Sequence, residues 1–171
     1  MIDDYKLRIK KAVEKFNENL LKESQSLTET KKYDCPERKT QHEILKFARS
    51  LGWSLDVVDA KNVWDYKTES YSRHVVASGF SDLCGCNDFG HAIYIEVKAP
   101  KKRSTLRDHQ REFLLTKINK NCFAVCSDGV EHLNKVYLTW LELFKNSEFE
   151  KARSFLIADL PCKKDKPFLF D

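Results

Sequence analysis

Two spacings of apolar residues divide the chain. From His91 to Val97, Ile93, Ile95 and Val97 alternate with Tyr94, Glu96 and Lys98, and a period of two predicts a strand with one apolar and one charged face. Val75 to Leu83 is its expected hairpin partner, joined through a turn at Gly85, Asn87, Asp88 and Gly90. Helical spacing replaces alternation from Lys39 to Leu51, where Ile44, Phe47, Ala48 and Leu51 form a stripe and Gly52 supplies a stop. Trp53 to Asp59 predicts another strand. Thr105 and Asp108 have the spacing of a capping box, ahead of a helix that buries Leu106, Phe113, Leu114 and Ile118. Cys122 to Cys126 reads as a short buried strand ended by Asp128-Gly129. A further strand is expected over Lys135 to Thr139, with Thr139 and Glu142 capping a last helix through Trp140, Leu141 and Phe144.

Upstream, residues 2–24 predict a charged amphipathic helix with Leu7, Val13, Phe16, Leu20 and Leu21 as an irregular stripe. Ser24 to Lys39 is polar, contains Pro36 and has no period, so it reads as a linker, and the compact domain should begin near Thr40. Asn62 to Ser72 is aromatic-rich without an assignable pattern. The resulting order is an α/β sandwich, a central mixed β-sheet flanked by helices. It divides the chain into an N-terminal helix and linker (1–38), a core (39–133) and a C-terminal extension (134–171).

Composition narrows the class. At 171 residues, 42% hydrophobic and 33% charged, the chain can bury one core without disulfide support. Its six cysteines are scattered, as expected of reduced thiols. There is no apolar run of about 18 residues, and the N-terminus is charged where a signal peptide would be apolar. A soluble, unexported protein is expected, cytoplasmic or nuclear. A net charge of +4 permits a polyanionic partner without arguing for one.

The chemistry concentrates around the alternating strand. Hairpin pairing can bring Asp82 beside Glu96 and Lys98 at one end of the sheet, although the sequence does not fix the register. Two carboxylates about 4 Å apart repel by roughly 4 kcal/mol at an effective dielectric near 20, so they call for a shared proton or a cation. Their oxygens suit Mg²⁺ or Mn²⁺, and such a site suits phosphodiester chemistry, with Lys98 holding a water or stabilising developing charge. The plainer alternative is a turn aspartate and an exposed edge pair, since E-x-K tripeptides are frequent by chance.

The run Gly79-Phe-Ser-Asp82-Leu, a Gly-bearing turn, Ile95-Glu96-Val97-Lys98 and a following helical Gln110 resembles the PD-(D/E)XK nuclease superfamily. Within it the chain is most similar to VRR-NUC domains, relatives of Holliday-junction-resolvase-like enzymes, over about Lys39 to Leu133. The resemblance implies a restriction-endonuclease-like core and a Mg²⁺- or Mn²⁺-dependent nuclease. Asp82, Glu96 and the Val97 carbonyl would bind metal, and Lys98 would be the catalytic lysine. Glu43 would assist the metal or its water, and Gln110 would orient the site. Ser81 stands where many members have Pro, a departure that leaves the chemical residues intact. Branched, flapped or junction DNA in repair, recombination or phage replication is the implied substrate, with a homodimer if two strands are cut together.

Other groupings compete. Lys101, Lys102, Arg103 and Arg107 follow the strand; a solvated loop is the plain alternative, but adjacency to the site favours contact with phosphates. Lys61, Lys67 and Arg73 with Trp64, Tyr66 and Tyr71 form a second, weaker candidate surface for stacking unpaired bases, since aromatic residues are more often core. Cys84, Cys86 and His91 suggest zinc but lack a nearby fourth ligand. Glu43 could be an ordinary solvated residue and Gln110 a satisfied buried amide, and no spacing pairs His109 or His132 with a nucleophilic thiol. The rivals to a nuclease are thus a non-cleaving nucleic-acid-binding module and a zinc-stabilised interaction protein.

Overall fold

A computed structural model of the chain describes residues 35–58 and 79–161, together with positions 64, 65, 70 and 71 and N-terminal positions 7, 10, 11, 13–15 and 18. The N-terminal positions are all helical, as expected within 2–24. The side chains of the second basic and aromatic surface, Cys162, and residues 19–34 of the expected helix and linker lie outside the described residues.

The first helix of the domain, α1 (Pro36–Ser50), begins earlier than expected. Pro36 opens it rather than interrupting a linker, because its fixed φ and missing N–H suit the first helical turn. Thr40, Ile44, Leu45, Phe47 and Ala48 turn inward, and Gly52 at φ +84° leaves the helix. Strand β1 (Ser54–Val57) follows, then a small antiparallel pair, β2 (Trp64–Asp65) with β3 (Ser70–Tyr71).

The expected hairpin forms with shorter strands. Strand β4 spans Leu83–Cys86 and β5 spans Ala92–Val97, with Gly85 inside β4 rather than in the turn. Asn87 closes the turn: its Oδ1 accepts from the Phe89 (3.0 Å) and His91 (2.9 Å) N–H groups. Its Nδ2 donates to the Tyr137 hydroxyl at 2.8 Å, fastening the turn to a later helix. Of the expected strand 75–83 only residues 79–83 are described, and 79–82 are not in a strand.

After β5 comes a single 3₁₀ turn, Arg103–Thr105, then α2 (Asp108–Ile118). Thr105 does not cap the helix; its hydroxyl donates to the Lys102 carbonyl within the turn. Gln110 reaches back instead, and its Oε1 accepts the Arg107 N–H at 3.1 Å. Strand β6 (Phe123–Ser127) pairs parallel to β5, the crossover through α2 making this possible. The sheet order is β1-β4-β5-β6, with the first three strands antiparallel, a mixed sheet flanked by helices.

The strand expected over 135–139 is helical, inside α3 (Val130–Lys145). Val136-Tyr137-Leu138-Thr139 has strand-like residue types, but Leu133, Val136, Tyr137, Trp140 and Leu141 recur at helical spacing and are all buried. That longer period wins because it seats the helix on the sheet. Phe123 meets Tyr137 and Trp140 at ring separations of 5.1 and 5.2 Å, and Trp53 meets Tyr137 at 4.5 Å. A further helix, α4 (Phe149–Asp159), packs on α3 and reaches β6 and α2. Among the described residues no helix is long and apolar enough to cross a membrane.

Candidate active site

The alternation in β5 separates two environments. Ile93, Ile95 and Val97 are fully buried in the hydrophobic core, while Tyr94 and Glu96 face α2 through Phe113 and Gln110. Asp82 enters from the loop before β4. Gly79 lets that loop approach: at φ +86° it lies so close to α2 that a Cβ would sit 2.5 Å from the His109 carbonyl oxygen. Ser81 is buried and donates to the Leu83 carbonyl, holding the turn that leads into β4. Asp82 Oδ2 then accepts the Val97 N–H at 2.7 Å, crossing from the start of β4 to the end of β5.

Around Glu96 the contacts are dense. Lys98 Nζ lies 2.6 Å from Glu96 Oε1 and 3.7 Å from Glu37 Oε1, and the Gln110 amide also donates to Glu96 Oε1. Glu96 is 1% exposed and Lys98 7%. Burial, reinforced by the Asp82 charge, pushes the Glu96 carboxyl up to about 7 against the pull of Lys98. Burial likewise raises Asp82, although the Val97 N–H and Lys98 oppose it. Burial alone would lower Lys98, but its hydrogen bond to Glu96 and the charges of Glu96, Glu37 and Asp82 outweigh that and raise it. The cluster therefore holds an ammonium firmly and two carboxyls reluctantly, the balance expected where a further cation would relieve repulsion.

The segment that carries this cluster falls within a known family model. Residues 34–130 match the family model of the VRR-NUC domain, more than half of the chain. The chain belongs to the VRR-NUC family. It therefore carries a nuclease-type domain with the expected restriction-endonuclease-like α/β fold. No curated protein and no solved structure matches the chain.

Within this VRR-NUC domain the structure gathers Asp82, Glu96, the Val97 backbone, Lys98 and Gln110, but not Glu43. Glu43 pairs loosely with Lys39 at 4.0 Å and lines a separate cleft with Pro100 and Lys101. The acid that α1 delivers is Glu37, six residues earlier and on another face of the helix. Starting the helix at Lys39 hid it. The recoverable signal was Pro36 as a helix opener, which aligns Glu37 seven residues before the buried Ile44.

The basic segment also divides. Lys101, Lys102 and Arg107 are exposed, whereas Arg103 turns inward to the Cys126 carbonyl and to Asp159. An inward guanidinium already bound to a carboxylate is a poor phosphate contact, so Arg103 is better read as an internal tie. His109 is exposed beside Gly79.

The zinc grouping does not assemble. Cys84 and Cys86 lie on β4, while the His91 ring packs against Trp140 and Phe144 and meets Asn87. Among the described residues no group of three or more His, Cys, Asp or Glu is arranged as a ready metal cage. Asp82 and Glu96 form instead a two-carboxylate site, a donor set sufficient for Mg²⁺, which commonly keeps waters and substrate oxygens as its other ligands.

Proposed function

We propose that this chain is a Mg²⁺- or Mn²⁺-dependent DNA endonuclease that selects branched, flapped or junction DNA. The observation that carries the reading is the convergence of Asp82, Glu96 and Lys98 at the end of β5, with both carboxyls raised by burial and Glu96 further by the Asp82 charge. Hard oxygen donors in that state fit a divalent cation, with Asp82, Glu96 and the Val97 carbonyl as its protein ligands. Such an ion, when bound, supplies charge to a phosphate oxygen and acidifies a water.

The remaining steps belong to the protein's side chains. Lys98 orients the attacking water and stabilises the negative charge that builds on the phosphate. Glu37, within ion-pair reach of Lys98, takes the supporting role first expected of Glu43. Gln110 holds Glu96 and, from the first turn of α2, approaches the scissile phosphate. Lys101, Lys102 and Arg107 grip the DNA backbone independently of sequence. A single small domain has little surface for reading many bases, which favours recognition of DNA shape.

Cleavage of a labelled panel of duplex, single-stranded, flapped and junction DNA, with Mg²⁺, Mn²⁺ or EDTA, tests this. Metal-dependent cutting that disappears in Asp82→Ala and Glu96→Ala supports it. Binding without cutting across the whole panel would identify a non-cleaving module instead.

A further inference from the structure

The basic segment after β5 is tied to the far end of the chain. Arg103 donates through Nε to the Cys126 carbonyl at 2.9 Å, and through one terminal nitrogen to both the carboxylate and the carbonyl of Asp159, each at 2.6 Å. Asp159 is the last residue of α4. Its other carboxylate oxygen lies 3.1 Å from His132 Nε2, and His132 Nδ1 lies 3.2 Å from Ser127 Oγ. Ser127, His132 and Asp159 thus line up in the order of a hydrolase triad. Ser127, however, is fully buried and donates its hydroxyl to the Gly129 carbonyl at 2.9 Å, so it offers no nucleophile to a substrate.

What this network touches explains it better. Cys126 and Ser127 are the β6 partners of Glu96 and Val97, and the Ser127 carbonyl accepts the Lys98 N–H at 2.9 Å. The Lys101 N–H donates to Asp128 Oδ2 at 2.9 Å. The stretch from Lys98 to Arg107 is therefore pinned at Lys98, Lys101 and Arg103, and the Arg103 pin depends on Asp159. A bidentate-capable guanidinium reaching two elements at once fixes a loop better than a single ammonium would.

We infer that Asp159, acting through Arg103 and His132, is a positioning residue for the nuclease site. It holds the end of β6 and the segment leading to Gln110 in register with Glu96 and Lys98. Helix α4, which lies beyond the residues matched to the family, is on this account part of the working enzyme. The inference rests on the nuclease reading above.

Two variants of the full chain test it, with Arg103→Ala as a third for the salt dependence alone. Asp159→Asn removes the charge holding Arg103 and His132 at nearly constant volume. Arg103→Lys keeps the positive charge but loses the fork that spans Cys126 and Asp159. Single-turnover cleavage of a flapped duplex with Mg²⁺, DNA affinity across salt concentrations in EDTA, and amide hydrogen exchange over residues 99–107 are measured together. In variants that keep a cooperative melt, the cleavage rate constant should fall about tenfold, as misplacement of a reacting constellation does. DNA affinity and its salt slope should stay within about twofold, since no phosphate contact is removed. Exchange at the Lys101 and Leu106 amides should accelerate, and the double variant should lose no more than the worse single one.

Unchanged exchange and rate in Asp159→Asn would overturn the inference, as would a salt slope reduced by about 1 in Arg103→Ala, the mark of a phosphate contact. Should either variant fail to fold, the other decides. If the wild-type protein cuts nothing in the panel, the nuclease reading falls, and hydrogen exchange still decides whether Asp159 organises residues 99–107.

Discussion

The two ends of the β4–β5 hairpin bury polar groups in opposite ways. At the turn, Asn87 is 4% exposed and neutral, and its amide is satisfied by the Phe89 and His91 N–H groups and the Tyr137 hydroxyl. At the other end, Glu96 and Lys98 are similarly hidden but charged, beside a second carboxyl in Asp82. Neutral groups with complete hydrogen bonding add to stability, whereas like charges brought together in a low dielectric subtract from it. One end of the hairpin serves to hold the sheet together, and the other is arranged at a cost that the proposed metal ion would offset.

Substitutions should separate the two ends, beginning with the largest effect. Lys98→Ala and Glu96→Gln should each reduce metal-dependent cleavage by a factor on the order of 10²–10³, the range for removing a group that stabilises developing charge. Glu96→Gln should leave the melting temperature in EDTA at pH 8 unchanged or higher. A large fall in that temperature would show that Glu96 is a structural residue, and the contrast between the two ends would be lost.

The pH dependence follows from the same carboxyl. Glu96 ionises near 7 in the folded protein against an ordinary 4.5, so between those values the folded state carries a proton that the unfolded state has released. Its contribution to stability in EDTA is therefore lost as pH rises from about 4.5 to about 7, by up to about 3 kcal/mol. The raised Asp82 acts in the same direction. Urea midpoints measured across pH should show the decline in wild type and a flatter profile in Glu96→Gln. Mg²⁺ should restore more stability at pH 8 than at pH 5, because binding to the folded state alone shifts the equilibrium.

Asn87→Ala should behave in the opposite sense, costing about 2 kcal/mol by removing the hydrogen bonds that Asn87 makes with the Phe89 and His91 N–H groups and the Tyr137 hydroxyl. Cleavage per folded molecule should be unchanged, as measured by rate after correction for the folded fraction. The smallest effect is expected at the surface. Lys102→Ala should alter stability by less than about 0.5 kcal/mol while lowering the slope of log DNA affinity against log salt by about 0.9. An unchanged slope would remove Lys102 from the DNA-binding surface.

Much of the site was legible because it depends on local periodicity. Alternation along β5 sets Glu96 and Lys98 on one face whatever the rest of the chain does, and the Gly79-to-Asp82 run marks the loop that faces them. Elements whose identity depends on distant partners were harder to read. Val136 to Thr139 has the residue types of a strand, but Tyr137 and Trp140 find Phe123 and Trp53 only in a helix. Glu37 lay hidden behind a misplaced helix start, and Glu43 stood nearer the apolar stripe that drew the eye. Arg103 reads as one more cation in a basic run until Asp159, 56 residues away, is seen beside it.

By itself, then, the sequence determined the α/β class and the chemical character of β5, because strand alternation is a short-range constraint. Only the tertiary structure decided the register that sets Asp82 beside Glu96, which acid of α1 meets Lys98, which arginine faces inward and how α4 is tied to Arg103. Those outcomes depend on the packing of helices separated by long stretches of chain, where a shift of a few residues in a helix boundary changes which side chain faces the site.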